Sequence, residues 1–263
     1  MPHPAVQMAT DGPVATITLW RPHCRNAVDG PTALALRAAF EAFEADNTLS
    51  VAVFTGGGGQ FCAGADLAAV ADPALSNKVT SDGQGPGPMG PTRMNFSKPV
   101  IAAIEGYAVA GGLELALMCD LRVAARSAVF GVFCRRWGVP LIDGGTVRLP
   151  RVVGQARALD MILTGRPVAA DEALTIGLVN RITDDGQALA EALVLAHQIA
   201  THPQACLRAD RASALAQWDW PLAQALQNEG AGGYAALQAE GLAGAARFAA
   251  GAGRHGAATG SAG

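Results

Sequence analysis

Runs of apolar residues in the first half of the chain predict short β-strands. Residues 14–19 alternate apolar and polar positions with a period of two and are rich in β-branched side chains, which is typical of a strand. Residues 51–55 and 99–104 are continuous apolar runs, as expected of buried strands. Between the first two runs, residues 31–45 contain good helix formers, and Pro31 suits a first helical turn. This succession of strand, helix and strand predicts an α/β layered fold.

The second half of the chain has the period of helices. The predicted helices cover residues 156–163, 170–176, 187–200, 203–217 and 221–248. Residues 73–91 are rich in glycine, proline and polar residues, and they predict a long mobile surface loop of the kind that borders binding sites. Residues 251–263 consist mainly of Gly, Ala and Ser, and they predict a disordered tail.

Composition excludes several classes of protein. The 263-residue chain is 50% hydrophobic and can bury a large core, and its formal net charge of −3 argues against a general nucleic-acid-binding protein. The five cysteines include no Cys-x-x-Cys pair and the five histidines are scattered, so we expect neither a disulfide framework nor a metal site. We find no signal-peptide pattern and no apolar stretch long enough to span a membrane, so the predicted location is the cytoplasm.

Two segments of small residues are candidates to present main-chain N–H groups to a ligand. Gly111 and Gly112 follow a predicted strand and open an apolar helical segment, where free N–H groups favour an anion. Tight helix packing explains these glycines equally well. Residues 61–66 (Phe-Cys-Ala-Gly-Ala-Asp) are small enough around Ala63 to leave its N–H facing a ligand, although small residues also fill tight corners. Asp66 is also a candidate helix cap.

These segments, with others further along the chain, resemble the crotonase superfamily, the enoyl-CoA hydratase/isomerase group. The matching stretches, in the order and close to the spacing of the family, are Phe61–Asp66, Lys98–Ile104, Gly106–Leu115, Cys119–Asp120, Phe130–Gly131, Gly144–Thr146, Arg148–Arg151, Val153–Gly154, Leu163–Gly165, Glu172–Ala173 and Gly177–Asn180. The likeness covers residues 14–182 strongly and the helical tail weakly. So many motifs in one order make chance agreement improbable.

The resemblance implies an α/β fold with three parts. Residues 1–200 would form a crotonase-like spiral of ββα repeats, and residues 201–250 a C-terminal helical region that packs against neighbouring subunits. Residues 251–263 would be the tail. The resemblance also implies a homotrimer or a dimer of trimers. Its ligand would be an acyl-CoA thioester, with coenzyme A arriving as part of the substrate and no separate cofactor.

By position, the resemblance implies that the N–H groups of Ala63 and Gly111 hold the thioester oxygen, which carries negative charge in an enolate-like intermediate. The substrate contacts expected around them are Cys62, Ala65, Asp66, Leu67, Gly112 and Cys134. Arg21 and Arg25 match the family's basic position for the CoA phosphates, although plain surface arginines on a loop would look the same.

Hydratases of this family resemble one another in using two glutamates. The first stands three residues after the oxyanion glycine, and Glu114 occupies that position among apolar neighbours, where burial would raise its pKa and suit proton transfer. The second should stand three residues after the glycine of the Phe-Gly motif, and Cys134 takes its place. A thiol with a pKa near roughly 8.5 is a weaker partner, and we favour a small apolar filler at this position.

Asp143 is the candidate replacement for the missing carboxylate. It lies just before the Gly-Gly-Thr motif, where family hydratases usually have small residues and some relatives with other activities carry a working aspartate. A helix cap explains this aspartate equally well. The neighbouring pair Arg135 and Arg136 would contact Asp143, a polar acyl group or another subunit.

Three functions are compatible with these residues. The first is hydration of a 2-enoyl-CoA, with Glu114 as base and Asp143 or water in the other proton-transfer role. The second is double-bond isomerisation, or another reaction of the family that needs one main carboxylate. The third is a CoA-thioester-binding protein that has lost efficient catalysis. The substitution at Cys134 is the reason for keeping all three.

Overall fold

The structure, a computed structural model, describes residues 3–251. Its strands are β1 (Val6–Asp11), β2 (Val14–Leu19), β3 (Val51–Gly56), β4 (Val100–Ile104), β5 (Tyr107–Val109), β6 (Leu121–Ala125), β7 (Val129–Gly131), β8 (Val168–Ala169) and β9 (Arg181–Thr183). Its α-helices are α1 (Gly30–Ala45), α2 (Gly111–Met118), α3 (Gly145–Val153), α4 (Gln155–Thr164), α5 (Ala170–Thr175), α6 (Ala188–Ala200), α7 (Gln204–Ala216), α8 (Leu222–Ala236) and α9 (Leu242–Ala249). The strands and helices predicted from the apolar patterns are confirmed with ends that differ by a few residues, except that the helix predicted over residues 221–248 is divided into α8 and α9.

A large sheet carries the core of the first part of the chain. Its order is β1-β2-β3-β4-β6-β9, in which β1 runs antiparallel to β2 and the remaining neighbours are parallel. All six residues of β3 are buried, which explains why its sequence is apolar without interruption. A smaller sheet has the order β5-β7-β8.

From β4 to β7 successive strands alternate between the two sheets, and a helix follows each pair. β4 in the large sheet is followed by β5 in the small sheet and then by α2, and β6 is followed by β7 and, after a 3₁₀ turn, by α3. Earlier segments join the small sheet through single bridges, which pair Val28 with Ala65 and Cys62 with Ala108. This alternation is the predicted spiral of ββα repeats, and it brings the segment around Ala65 next to the one that leads into α2.

Residues 73–91 form no regular helix or strand, but the prediction of a surface loop is wrong for their last part. Gly87 to Pro91 are buried, and Met89 is 1% exposed. Gly90 is pressed against α1, since a Cβ at this position would lie 2.2 Å from the carbonyl oxygen of Ala33. The segment is therefore rich in Gly and Pro because it packs closely against the core, which composition alone does not distinguish from exposure.

The chain forms two compact units, a first that ends at His197 and a second that begins at Gln198. In the second unit α7 contacts α8, and a π-helical turn at residues 237–241 joins α8 to α9. Large apolar side chains exposed on this unit include Trp218, Trp220, Leu222, Leu226, Leu242 and Phe248. The domain boundaries and the assembly role of the helices stay predictions, and the predicted tail lies, from residue 252, outside the described residues. No helix in residues 3–251 is long and apolar enough to cross a bilayer.

Candidate active site

A cavity of about 680 Å³ opens beside the N-terminal end of α2, within the roughly 300–1,000 Å³ that is usual for small-molecule sites. Most of its lining is apolar. The charged residues of the described lining are Arg25, Glu114, Arg136 and Asp143. The predicted site residues that border the cavity are Arg25, Ala63, Ala65, Leu67, Gly111, Glu114, Cys134 and Asp143.

The N–H of Ala63 donates a 3.0 Å hydrogen bond to the carbonyl oxygen of Arg25. This bond contradicts the prediction that Ala63 donates to the ligand, because an N–H has one hydrogen to donate. The cause is a turn that sequence patterns do not reveal. Arg25 and Asn26 both have left-handed φ angles, 52° and 57°, and the turn brings the Arg25 carbonyl to Ala63.

Ala65 provides the free N–H instead. Its neighbours are occupied, because Val28 N–H donates to Gly64 and Asp66 N–H donates to Val28, whereas the Ala65 N–H bonds to no atom of residues 3–251. A Cβ built on Gly64 would lie 3.0 Å from the main-chain nitrogen of Gly111, so the two segments touch. Ala65 and Gly111 are therefore adjacent main-chain donors at the cavity.

The N–H of Gly111 is the first of α2 and has no partner within the helix. The residue before it, Ala110, has φ 53° and ψ −125°, a conformation that an L-residue rarely adopts. Because ψ of one residue sets the direction of the next N–H, this conformation orients the Gly111 donor. Strain at such a position is typical of functional sites.

Glu114 lies on α2, whose eight residues are all buried. Its Oε1 accepts hydrogen bonds of 2.8 Å from the main-chain N–H groups of Asp143 and Gly145. Its Oε2 accepts no hydrogen bond from the described residues, and Glu114 is one of the residues that line the cavity. Burial and the neighbouring Asp143 charge raise the pKa of Glu114 to about 7, against the pull of the two N–H donors and Arg148.

Asp143 is 3% exposed and is held through one oxygen. Its Oδ1 accepts a hydrogen bond from the N–H of Met89 at 3.0 Å and a short one from the Thr92 hydroxyl. Burial raises the pKa of Asp143 above its ordinary value, while Thr92, Met89, Arg93 and Arg148 oppose the rise. The helix-cap alternative is not what the structure shows, since the N-cap of α3 is the next residue and no side chain caps it.

Cys134 lies in the 3₁₀ turn after β7 and borders the cavity. It is 7% exposed, and burial, followed by the nearby Glu114 charge, raises the pKa of its thiol. The thiol therefore stays neutral near pH 7, in agreement with the small apolar filler favoured from the sequence.

Four predicted ligand contacts lie outside the described lining and have structural roles. Arg21 forms ion pairs with Asp29 at 2.8 Å and Asp66 at 3.2 Å, so it is not a free cation. Asp66 also accepts from the Ala68 N–H at the start of a 3₁₀ turn, which confirms the capping alternative. Cys62 and Gly112 form a close contact, since a Cβ on Gly112 would lie 2.0 Å from the Cys62 carbonyl oxygen.

The basic pair beside Cys134 binds main-chain oxygens. Arg135 donates to Ile162, and Arg136 donates to Gly165 at 3.1 Å while its guanidinium lies 4.3 Å from the ring centre of Phe133. Arg136 borders the cavity, and neither arginine forms an ion pair within residues 3–251.

Sequence reasoning missed Met89 and Thr92, which bind the Asp143 carboxylate, and Arg148, which binds the main chain beside it. Arg148 donates to the main-chain oxygens of Asp143 at 3.1 Å and Thr92 at 2.7 Å. Its presence in a family motif was the one available signal for it. Nothing in the sequence pairs Thr92 with an aspartate 51 positions away.

Comparison with known proteins shows which family the chain belongs to. A sequence model described as enoyl-CoA hydratase/isomerase matches residues 9–243. The chain belongs to the enoyl-CoA hydratase/isomerase family. The crotonase fold predicted from the motifs is confirmed by a crystal structure of an enoyl-CoA hydratase from Mycobacterium tuberculosis H37Rv. That structure superposes with a TM-score of 0.88 and 35% identity over 94% of this chain and 96% of the other.

Curated relatives within the enoyl-CoA hydratase/isomerase family carry two different names. Enoyl-CoA hydratase EchA19 of M. tuberculosis is 37% identical over 211 residues, which cover 76% of this chain and 77% of the relative. A carnitinyl-CoA dehydratase of Salmonella typhi is 39% identical over 198 residues, covering 74% of each chain. Family membership therefore leaves the individual reaction to be argued from this chain's own residues.

Proposed function

We propose that this member of the enoyl-CoA hydratase/isomerase family adds water to the double bond of a 2-enoyl-CoA thioester. One observation carries the proposal. Two buried carboxylates, Glu114 and Asp143, border the same cavity as the unoccupied N–H groups of Ala65 and Gly111. Hydration needs one group that takes a proton and one that gives a proton, and it needs stabilisation of the negative charge between the two steps.

The two N–H groups hold the thioester carbonyl oxygen. When the oxygen of water bonds to the β-carbon, electrons of the double bond move toward the carbonyl, and its oxygen becomes an enolate-like oxyanion. Ala65 and Gly111 donate to this oxygen without rearranging, since both belong to the packed main chain. A single donor of this kind is typically worth about 3–4 kcal/mol of barrier.

Each of the two carboxyl groups performs one of the two proton transfers. Burial raises the pKa of both carboxyl groups, and that of Glu114 reaches about 7, so we assign the proton held near neutrality to Glu114 and the ionised form to Asp143. In hydration Asp143 takes a proton from the attacking water, and Glu114 delivers its own proton to the α-carbon. This reverses the base role predicted for Glu114 from the sequence, which it would have in the dehydration direction.

The ligand class follows from the same reaction. The acyl part occupies the largely apolar cavity. Of the two arginines predicted to bind the CoA phosphates, Arg25 is the one that lines the cavity, and its guanidinium lies 5.4 Å from the ring centre of Tyr107. CoA enters as part of the substrate, and no further cofactor has a role in these steps. A homotrimer or dimer of trimers remains our expectation, supported by the apolar surface of the second unit and testable by light scattering.

Double-bond isomerisation is the second candidate function, and the neutral Cys134 is the observation in its favour. An isomerase moves a proton between two carbons of the substrate and needs one main carboxylate, without activating water. Under this alternative Glu114 would serve alone and Asp143 would be structural.

Turnover of two substrates separates the candidates. Wild-type protein, Asp143→Asn and Cys134→Ala are incubated with crotonyl-CoA and with a 3-enoyl-CoA, followed by absorbance and mass. We expect hydration of crotonyl-CoA to fall roughly 100- to 10,000-fold in Asp143→Asn and less than about tenfold in Cys134→Ala. Asp210→Asn, at an exposed position of α7, is the matched control.

Hydration that persists in Asp143→Asn would contradict the carboxylate pair. Conversion of the 3-enoyl substrate alone would favour the isomerase, and tight thioester binding without turnover of either substrate would favour the binding protein.

A further inference from the structure

Arg148 stands beneath the carboxylate pair without touching either carboxylate. One guanidinium nitrogen donates to the Asp143 carbonyl and the other to the Thr92 carbonyl, at 3.1 and 2.7 Å. The guanidinium lies over Gly144, where a Cβ would be 2.3 Å from Nη1. Arg148 is half-buried, and charges that are removed from water are usually paired with an opposite charge. Here both acceptors are main-chain oxygens, so the two acidic side chains stay available to the cavity.

Thr92 links Arg148 to the carboxylate of Asp143. While its carbonyl accepts from Arg148, its hydroxyl donates to Oδ1 of Asp143, and the Met89 N–H donates to the same oxygen. Thr92 is 0% exposed, so water does not replace these bonds. The segment of residues 87–92 is thus bonded to its surroundings at two points. Arg148 binds the Thr92 carbonyl, and the Asp143 side chain accepts from Thr92 and Met89.

Building on the proposed hydration, we propose that Arg148 is a positioning residue. By clamping the main chain of Thr92 and Asp143, it keeps the Thr92 hydroxyl on Oδ1 and leaves Oδ2 of Asp143 as the oxygen that takes the proton from water. Without the clamp, Asp143 can rotate and share both oxygens with the segment. A displacement of about 1 Å at a reacting group is enough to cost on the order of a hundredfold in rate.

Arg148 also supplies charge. It favours the ionised forms of both Glu114 and Asp143, since a nearby cation stabilises a carboxylate. The other charged groups that act on this pair are Arg93, whose guanidinium donates to Ile142 and Gly83, and the opposite carboxylate. Loss of the Arg148 charge should therefore move both limbs of the pH–rate profile to higher pH, which a purely structural defect does not do.

The first test compares Arg148→Met, Arg148→Lys and the exposed control Arg157→Met with crotonyl-CoA. We expect Arg148→Met to lower kcat about 10- to 100-fold with KM within about threefold, and to shift both pH limbs upward. Arg148→Lys keeps the charge but cannot span both carbonyls, so the limbs should stay in place while kcat remains reduced. An unshifted profile in Arg148→Met would overturn the proposal.

The second test asks whether Arg148 acts through Asp143. Added to Asp143→Asn, the Arg148→Met change should cost less than about threefold more in kcat, because the group that it positions is already gone. Losses that multiply would overturn the proposal. Thr92→Val, which removes the hydroxyl alone, should resemble Arg148→Met in kcat and Thr92→Ser should restore it, so the idea remains testable if the arginine variants misfold. A wild-type protein that fails to hydrate crotonyl-CoA would instead overturn the hydration proposal and this one with it.

Discussion

The main-chain N–H of Asp143 donates a 2.8 Å hydrogen bond to Oε1 of Glu114. The backbone of one acidic residue therefore holds the side chain of the other, and the two carboxyl groups keep their relative position. Because the donor is a main-chain group, it survives substitution of the Asp143 side chain. The loss in Asp143→Asn can thus be assigned to its carboxylate and not to displacement of Glu114.

The pH dependence of hydration should reveal the proton carrier. In the proposed hydration Glu114 delivers a proton, and its pKa is about 7, so kcat/KM should fall as the pH rises above 7 and Glu114 ionises. The acid limb should belong to Asp143, which must be ionised to accept a proton. Rate measurements with crotonyl-CoA between pH 5 and 9 check this. A rate that keeps rising with pH above 7 would return the base role to Glu114.

Glu114→Gln should stabilise the protein at alkaline pH. With a folded pKa of about 7 and an unfolded value of 4.5, the stability associated with Glu114 is complete below pH 4.5 and is lost as the pH rises through 7. The loss amounts to about 3 kcal/mol, at roughly 1.4 kcal/mol per pKa unit. Glutamine keeps the acceptor for both N–H groups and carries no charge.

Urea unfolding at pH 5 and pH 8 measures this effect. The stability gap between Glu114→Gln and wild type should be wider at pH 8 by about 2–3 kcal/mol. Glu229→Gln, at an exposed position of α8, removes the same charge and should change stability by less than about 0.5 kcal/mol at either pH. An equal stability difference between the two proteins at pH 5 and pH 8 would mean that folding does not raise the pKa of Glu114.

Replacement of Ala65 by its α-hydroxy analogue, lactic acid, deletes one N–H and leaves the side chain unchanged. We expect kcat to fall about 100- to 1,000-fold with little change in stability, because the Ala65 N–H has no protein acceptor. The same replacement at Ala63 is the control. It removes the bond to Arg25 and should cost about 1 kcal/mol of stability with kcat nearly intact. The opposite assignment of the two effects would restore Ala63 as the donor.

Ala110→Gly should raise the stability of the protein. Positive φ costs an L-residue on the order of 1–2 kcal/mol and costs glycine almost nothing, whereas the extra freedom of unfolded glycine offsets part of the gain. We expect a net gain of about 1 kcal/mol, seen as a higher midpoint in thermal or urea unfolding. A lower midpoint would mean that the Ala110 methyl group contributes more by packing than its backbone loses by strain.

Local periodicity and position within family motifs were the features of the sequence that predicted structure correctly. The strand at 14–19 and the helix over 31–45 follow from local alternation and helix formers, and Glu114 follows from its place after Gly111 in a family motif. Such signals lie within a few neighbouring residues. They therefore predicted the spiral and eight of the residues that line the cavity.

The errors share a different cause, which is contact between distant segments. The choice between Ala63 and Ala65 depends on which N–H meets the Arg25 carbonyl, and no local pattern records that meeting. Arg21 has the sequence position of a phosphate contact, but in the structure it forms ion pairs with Asp29 and Asp66. A loop arginine and an internally paired arginine have the same local sequence.

Gly112 packs against the Cys62 carbonyl, and Gly64 packs against Ala110 and the main-chain nitrogen of Gly111, so the segments that carry the two proposed donors approach closely because neither glycine has a Cβ. A side chain at position 64 or 112 would push these segments apart, so the spacing of the two N–H groups depends on glycine at both positions. Mutations elsewhere in the wall are free to alter the acyl group that fits or the route that a proton takes. A scaffold of this kind can diversify its chemistry over evolution while it keeps the same pair of main-chain donors.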